Sequence, residues 1–209
     1  AGLSGGYLAL YAEDIQVGPF GSRFTLCDAE GGRVQCQTKL LGRHNIQNIV
    51  LCCAVAKRLG LTLEEIAKGV AKAEPVEHRL QLIPGAGGVT IIDDAFNANP
   101  VGAQAALDVL RDFPGRRLIV TPGLVEQGEK EYELNYKLGM QLAGSCDAAI
   151  LVGRKRCQPI LRGALEGGMR QSQITLVGNL NEATAVLARL GRPGDVVLFE
   201  NDLPDNYNE

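Results

Sequence analysis

The sequence predicts an α/β protein: a mostly parallel sheet flanked by helices, preceded by a smaller α/β unit. Two observations carry the larger unit and one the smaller. The runs Leu118-Ile119-Val120, Ala148-Ala149-Ile150-Leu151-Val152, Ile174-Thr175-Leu176-Val177 and Val196-Val197-Leu198-Phe199 are apolar almost throughout. Strands buried on both faces read this way, whereas half-exposed strands alternate. Stretches of helical spacing separate these runs, near Val101–Phe113, Lys130–Ala143, Lys155–Glu166 and Asn181–Leu190. That alternation builds a parallel sheet covered on both sides. Residues 7–40 behave differently: apolar and polar positions alternate around Gly-rich turns such as Gly31-Gly32, predicting short antiparallel strands.

After those strands, Asn45–Leu59 predicts a helix with Ile46, Ile49, Val50, Cys53, Ala54 and Ala56 on its apolar face, stopped by Gly60. A second helix starts at Thr62, where Glu65 completes a Thr-x-x-Glu capping box. Ala73-Glu74-Pro75-Val76-Glu77 then reads as a linker, because Pro75 forces the residue before it toward extended geometry. Two domains are expected, 1–74 and 75–209, with this linker as a hinge. Leu80–Ile83 and Val89–Ile92 flank Pro84-Gly85-Ala86-Gly87-Gly88 and predict a hairpin. In open α/β sheets, ligands bind beyond the carboxyl ends of the strands. Asp93-Asp94 and Thr121-Pro122-Gly123 lie there.

Composition narrows the function classes. At 209 residues, 45% hydrophobic and 22% charged, the chain reads as globular. Its net charge of -3 and lack of a basic block argue against nucleic acid as a partner. No apolar run approaches a membrane span, and Ala1-Gly2-Leu3-Ser4 does not begin like a signal peptide. Six cysteines without a CxxC pair are expected to be reduced thiols of a cytoplasmic protein, and with only His44 and His78 no metal site is expected. The chain starts at Ala1 rather than Met, on what reads as the middle of a domain, so a fragment is expected.

Two motifs concentrate polar groups beside apolar runs. In Gly42-Arg43-His44-Asn45-Ile46-Gln47-Asn48, Asn45 and Asn48 are three apart and share a helix face. An amide offers donor and acceptor together, which suits the edge of an adenine. Asn45 as a plain N-cap is the alternative. It leaves Asn48 unexplained, since Asn is a mediocre helix former one turn in. In Asp93-Asp94-Ala95-Phe96-Asn97-Ala98-Asn99-Pro100, adjacent carboxylates repel unless each finds its own partners. Alternation along the strand aims them in different directions, so one is expected to accept from backbone and the other to face a cleft. Pro100 fits the first position of a helix, and an Asx-turn with a helix cap is the alternative reading of the asparagines.

Arg79, just past the linker, carries a planar guanidinium suited to phosphate oxygens, or else a surface ion pair. His78 is expected to be a solvated neighbour. Glu126, Glu129, Lys130, Glu131 and Glu133 read as solvated surface. Gly153-Arg154-Lys155-Arg156 is a weak phosphate candidate or a solvated helix start.

Together the two motifs resemble the Mur ligase family, ATP-dependent amide-forming enzymes of bacterial wall synthesis. Within it they resemble the MurF-like branch, which adds D-alanyl-D-alanine to a UDP-linked muramoyl tripeptide. The resemblance spans nearly the whole chain. It implies the last part of a central ATP-binding domain over residues 1–74 and a C-terminal Rossmann-like domain over residues 75–209. It places Asn45 and Asn48 by the adenine, with His44 adjacent, and Arg79 on the ATP phosphates. It places Asp94 in the interdomain active site, and Asn97 and Asn99 along its acceptor side. The implied cofactors are ATP and Mg2+. The implied partners are a UDP-muramoyl peptide and D-alanyl-D-alanine or a similar amine. The reaction would pass through an acyl phosphate that the amine attacks, where positioning and charge neutralisation dominate.

Several positions depart from the family pattern. No G-x-x-x-x-G-K-S/T loop occurs in these residues. The P-loop lysine, the magnesium ligands and the family's carbamylated lysine are expected upstream, so this chain alone is expected not to turn over. Phe96 replaces the usual tyrosine. Gly123 stands for an aspartate, and Asn135 for a histidine. Phe199-Glu200-Asn201-Asp202-Leu203-Pro204-Asp205-Asn206 stands where a KGSR-like loop is usual. Acidic groups there would favour an amine over a free carboxylate. A ligase acting on a folate or polyglutamate, and a non-catalytic nucleotide- or sugar-binding module, are the competing readings. An NAD-dependent oxidoreductase is disfavoured because no G-x-G-x-x-G follows a strand.

Overall fold

Alternation in the first segment produces three antiparallel strands, β1 (Leu10–Gly18), β2 (Gly21–Asp28) and β3 (Arg33–Thr38), in the order β1-β2-β3. The computed structural model describes residues 2–3, 9–96 and 98–201. They fall into two units divided between Glu77 and His78.

In the first unit, helices α1 (Arg43–Arg58) and α2 (Leu63–Val70) lay their apolar stripes on the small sheet. Ile46, Ile49, Val50 and Cys53 of α1 and Leu63, Ile66 and Val70 of α2 share one core with Leu10, Ala12, Phe24, Leu26 and Cys36. Thr62 and Glu65 make the expected reciprocal capping box, which satisfies two of the free N–H groups that open a helix. Helix α1 starts two residues before the expected Asn45. Gly42 is its N-cap, at φ 90° and ψ 149°. A positive φ is easy only for glycine, so the turn into the helix is set there. Residues 71–80 carry no helix or strand.

The second unit holds a six-stranded sheet in the order β4-β5-β9-β6-β7-β8. Strands β4 (Gln81–Pro84) and β5 (Thr90–Asp94) form the antiparallel hairpin. Strands β6 (Arg117–Thr121), β7 (Ala148–Val152), β8 (Ile174–Val177) and β9 (Val196–Glu200) run parallel with β5. The helices between them are α3 (Pro100–Arg111), α4 (Glu131–Ala143), α5 (Gln158–Glu166) and α6 (Leu180–Leu190). The α5 start falls at Gln158 rather than near Lys155, because residues 154–157 form turns.

Connections through α3, α4 and α5 move across the sheet in one direction, and α6 returns the chain to β9 between β5 and β6. Right-handed crossovers then put α6 on the opposite face from the other three. Accordingly, Ala183 and Val186 of α6 pack on Leu118, Val120, Ile150, Val152, Val177 and Val197. The return of β9 brings the carboxyl ends of β5, β9 and β6 side by side. Among the described residues no helix is long and apolar enough to cross a membrane. Cys52 is exposed, the other five cysteines are buried, and all six are free thiols.

Candidate functional site

Two groups of polar side chains stand out, one in each unit. In the first unit, Asn45 and Asn48 do share a face of α1. Asn45 is not the cap: it sits in the first helical turn, and its Nδ2 donates to the Leu41 carbonyl at 2.8 Å. Among the described residues its Oδ1 makes no hydrogen bond, and the exposed Asn48 side chain makes none. Both line a hollow of about 410 Å³ whose other walls include Ile49, Cys53, Ile66 and Val70. An apolar floor with free amides at its rim is the composition of a site for a flat heteroaromatic ring. His44 lies beside them on the exposed surface, with its pKa lowered by desolvation.

In the second unit, β5 delivers Asp93 and Asp94 to the sheet's carboxyl edge, and each finds separate partners, as adjacent carboxylates must. Asp93 accepts from the Ala95 N–H at 3.1 Å, and its Oδ2 is 2.8 Å from His78 Nδ1. His78 is therefore not merely solvated; alternation along β5 aims Asp93 at it. Asp94 Oδ1 accepts from the Leu80 N–H at 3.0 Å. The two carboxylates thus grip the residues on either side of Arg79. Both gripped residues have positive φ, 59° at His78 and 47° at Leu80. Side chains larger than glycine hold such angles only where the surroundings enforce them. Arg79, exposed, lies with its guanidinium 4.2 Å from the Phe96 ring centroid, a cation–π contact. Burial raises the Asp94 pKa. The Leu80 N–H and Arg79 oppose this, and Asp93 adds to it.

Asn99 is the N-cap of α3: its Oδ1 accepts from Val101 N–H at 3.1 Å and Gly102 N–H at 2.9 Å, with Pro100 at the first helical position. Asn97 lies outside the described residues, as do residues 202–206 of the expected acidic loop. Gly153 to Arg156 form turns before α5, and Arg154 pairs with Glu182 at 3.3 Å.

Sequence reading missed how the neighbouring strand ends are tied to Asp94. Glu200, at the end of β9, is wholly buried. The Thr121 hydroxyl at the end of β6 donates to its Oε2 at 2.6 Å and accepts from the Gly123 N–H at 2.9 Å. Burial pushes the Glu200 carboxyl up to about 7, with Thr121 opposing and Asp94 adding. Asn201 then links the loops beyond both neighbouring strands. Its N–H donates to the Asp94 carbonyl at 3.2 Å, its Nδ2 to the Gly123 carbonyl at 2.7 Å, and its Oδ1 accepts from the Ala98 N–H at 3.3 Å. The available signal was a carboxylate closing an apolar parallel strand, the same signal that singled out Asp93-Asp94.

Gly123 and Asn135, which the sequence reading takes as departures from the family pattern, are in close contact. Buried Asn135 accepts from the Leu124 N–H and donates to the Leu124 carbonyl, both at 2.8 Å. Gly123 has φ 83°, and a Cβ there would collide with Asn135 Oδ1 and Ile160. The positive φ and the packing of Asn135 and Ile160 together favour glycine at 123.

Comparisons with known proteins match both units. Residues 78–200 match the family described as Mur ligase, glutamate ligase domain, and residues 1–56 match the Mur ligase middle domain. The chain is 32% identical over 198 residues to the UDP-N-acetylmuramoyl-tripeptide--D-alanyl-D-alanine ligase of Mycobacterium leprae, covering 85% of this chain and 38% of that protein. A crystal structure of MurF from Acinetobacter baumannii superimposes with a TM-score of 0.74 at 27% identity, over 92% of this chain and 41% of that one. MurF from Thermotoga maritima, solved in complex with ADP, shares the fold with a TM-score of 0.76 at 22% identity, over 93% of this chain and 43% of that one. The chain therefore spans about two fifths of the relatives it matches.

Proposed function

The chain belongs to the Mur ligase family, and from that premise we propose that it is part of an ATP-dependent ligase forming an amide bond during peptidoglycan-precursor synthesis. The amine would be D-alanyl-D-alanine or a similar one, the acid a UDP-muramoyl peptide, and the compartment the cytoplasm. The observation that carries this reading is the grip of Asp93 and Asp94 on the two neighbours of Arg79. It holds a guanidinium at the carboxyl edge of a parallel sheet, where phosphate-bearing ligands bind.

In this reading residues 1–74 complete a nucleotide-binding domain and residues 75–209 form the acceptor domain, with Ala73–Glu77 as the hinge. Asn45 and Asn48 read the adenine edge beside His44, and the hollow against α1 takes the ring. Arg79 offsets charge developing on the transferred phosphoryl group. Asp94 orients Arg79 and the incoming amine, while Asn97 and Asn99 line the acceptor side. Asn99 has its Nδ2 for this, since its Oδ1 caps α3. ATP supplies the activation of the carboxylate as an acyl phosphate.

Among the described residues no group of three His, Cys, Asp or Glu side chains is placed to hold a metal ion. These residues do not form a magnesium site, and the reading assigns Mg2+ and the P-loop to the remainder of the longer protein. The 209-residue chain alone is then inactive.

The test is coupled phosphate release by the full-length protein with UDP-muramoyl tripeptide, ATP and magnesium, with and without D-alanyl-D-alanine. Release that depends on the dipeptide and disappears in Asp94→Ala supports this reading. Release only with a different amine keeps the ligase and moves the acceptor. Silence with every amine overturns it in favour of a binding module.

A further inference from the structure

Among the described residues of the second unit, one buried side-chain acceptor is left unused by the fold. Glu200 Oε1 has no exposed surface and no hydrogen-bond partner among the described residues. Leaving a buried acceptor unpaired forfeits its hydration without a replacement bond, and costs more when it is charged, so folds rarely tolerate one without a use. Its place in the sheet is informative. Asp94 and Glu200 are directly paired across the parallel strands β5 and β9, so their side chains leave the sheet on the same face. Asp94 contributes a second open oxygen, because among the described residues only its Oδ1 is engaged, by the Leu80 N–H. Thr121 holds the opposite side of the Glu200 carboxyl and has no capacity left for Oε1: its single proton goes to Oε2.

We infer that Asp94 and Glu200 together receive a primary ammonium group, and that this group is the amine of the acceptor. The second clause rests on the ligase reading; the first does not. Two acceptor oxygens on one face match the donors of an ammonium, which carries three N–H bonds and a compact charge. A divalent cation fits less well, since three ligating side chains do not converge anywhere among the described residues. The half-buried Asp94 is the entrance and the buried Glu200 the floor. Two adjacent carboxylates deprived of water each favour protonation, as the raised pKa values of both residues reflect. A bound cation reverses that and expels a proton. Among the described residues the other charged groups around the pair are Arg79 and Asp93, with His78 held on Asp93. On the β6 side Glu200 meets the neutral Thr121.

The experiment is titration calorimetry of the full-length protein at pH 7, in two buffers of different ionisation enthalpy. The probes are D-alanyl-D-alanine, D-alaninamide, and the N-acetyl form of each. Expected are binding of a free amine with proton release, at least tenfold weaker binding of its N-acetyl form, and at least tenfold weaker amine binding by Glu200→Gln without proton release. Gln keeps the acceptor for Thr121, and the N-acetyl comparison needs no variant. The inference is overturned if N-acetyl and free forms bind alike, if Glu200→Gln binds the amine as tightly as the parent, or if neither amine binds at millimolar concentration. Amine binding without phosphate release would retain the ammonium site while removing the ligase reading.

Discussion

The motif around Asn45 and Asn48 and the motif around Asp93 and Asp94 are both polar segments beside apolar elements, yet they are built in opposite ways. On α1 the amides are nearly idle: among the described residues the Asn48 side chain has no hydrogen bond, and Asn45 uses one donor on Leu41. Around β5 most polar groups are committed, with one oxygen each of Asp94 and Glu200 left open among the described residues. Asp93, Asp94, Thr121, Glu200 and Asn201 link three strand ends and hold two residues at positive φ. The first arrangement leaves affinity to be supplied by a ligand. The second spends folding free energy to fix geometry in advance, as an electrostatic site requires. Stability measurements should therefore separate the two, with large effects at β5 and small ones on α1.

The largest effect is expected from pH at Glu200. Its folded-state pKa of about 7 lies above the ordinary glutamate value of 4.5, so the native state holds a proton that the unfolded chain has released between those values. Stability contributed by this group is full below about 4.5 and falls as pH rises to about 7, by roughly 3 kcal/mol in all. Urea melts of the chain across pH 4.5–8 should show that slope. Glu200→Gln should lack it and be the more stable form at pH 8; equal slopes in the two proteins would contradict the buried-carboxyl account.

Next comes Asp94→Ala, which orphans the Leu80 N–H and frees a strained turn. A loss of about 1–3 kcal/mol is expected by denaturant melt, with Asp94→Asn retaining most of the stability because the acceptor remains. A smaller loss, about 1 kcal/mol, is expected of Asn99→Ala, through removal of the α3 cap. If it changes acceptor KM by less than twofold in the full-length enzyme, Asn99 is a cap and nothing more. Asn48→Ala should fall within about 0.5 kcal/mol of the parent, as an exposed position does. It should nonetheless raise the KM for ATP in the full-length enzyme several-fold. A stability loss without a KM change would reverse the roles assigned to the two corners.

Much of this was legible along the chain. Apolar runs gave β6, β7, β8 and β9, the Thr62–Glu65 box gave the start of α2, and Pro100 gave the start of α3, because each of these follows from residues within a turn or a strand of one another. The start of α1 was misjudged for a related reason: a capping-competent asparagine was visible, but the backbone angle of Gly42 decided the matter. The motifs also pointed to the family, whose domains match residues 1–56 and 78–200.

Tertiary structure alone decided which strands became neighbours. Asp94, Thr121 and Glu200 are far apart in sequence, and only the return of β9 between β5 and β6 makes one site of them. The same holds for the grip on Arg79, which needs the β4–β5 hairpin to fold His78 and Leu80 back onto Asp93 and Asp94. Local propensity reads out from neighbours in sequence. A carboxylate's partners and pKa depend on which groups the crossovers bring within hydrogen-bond distance and on how much water they exclude.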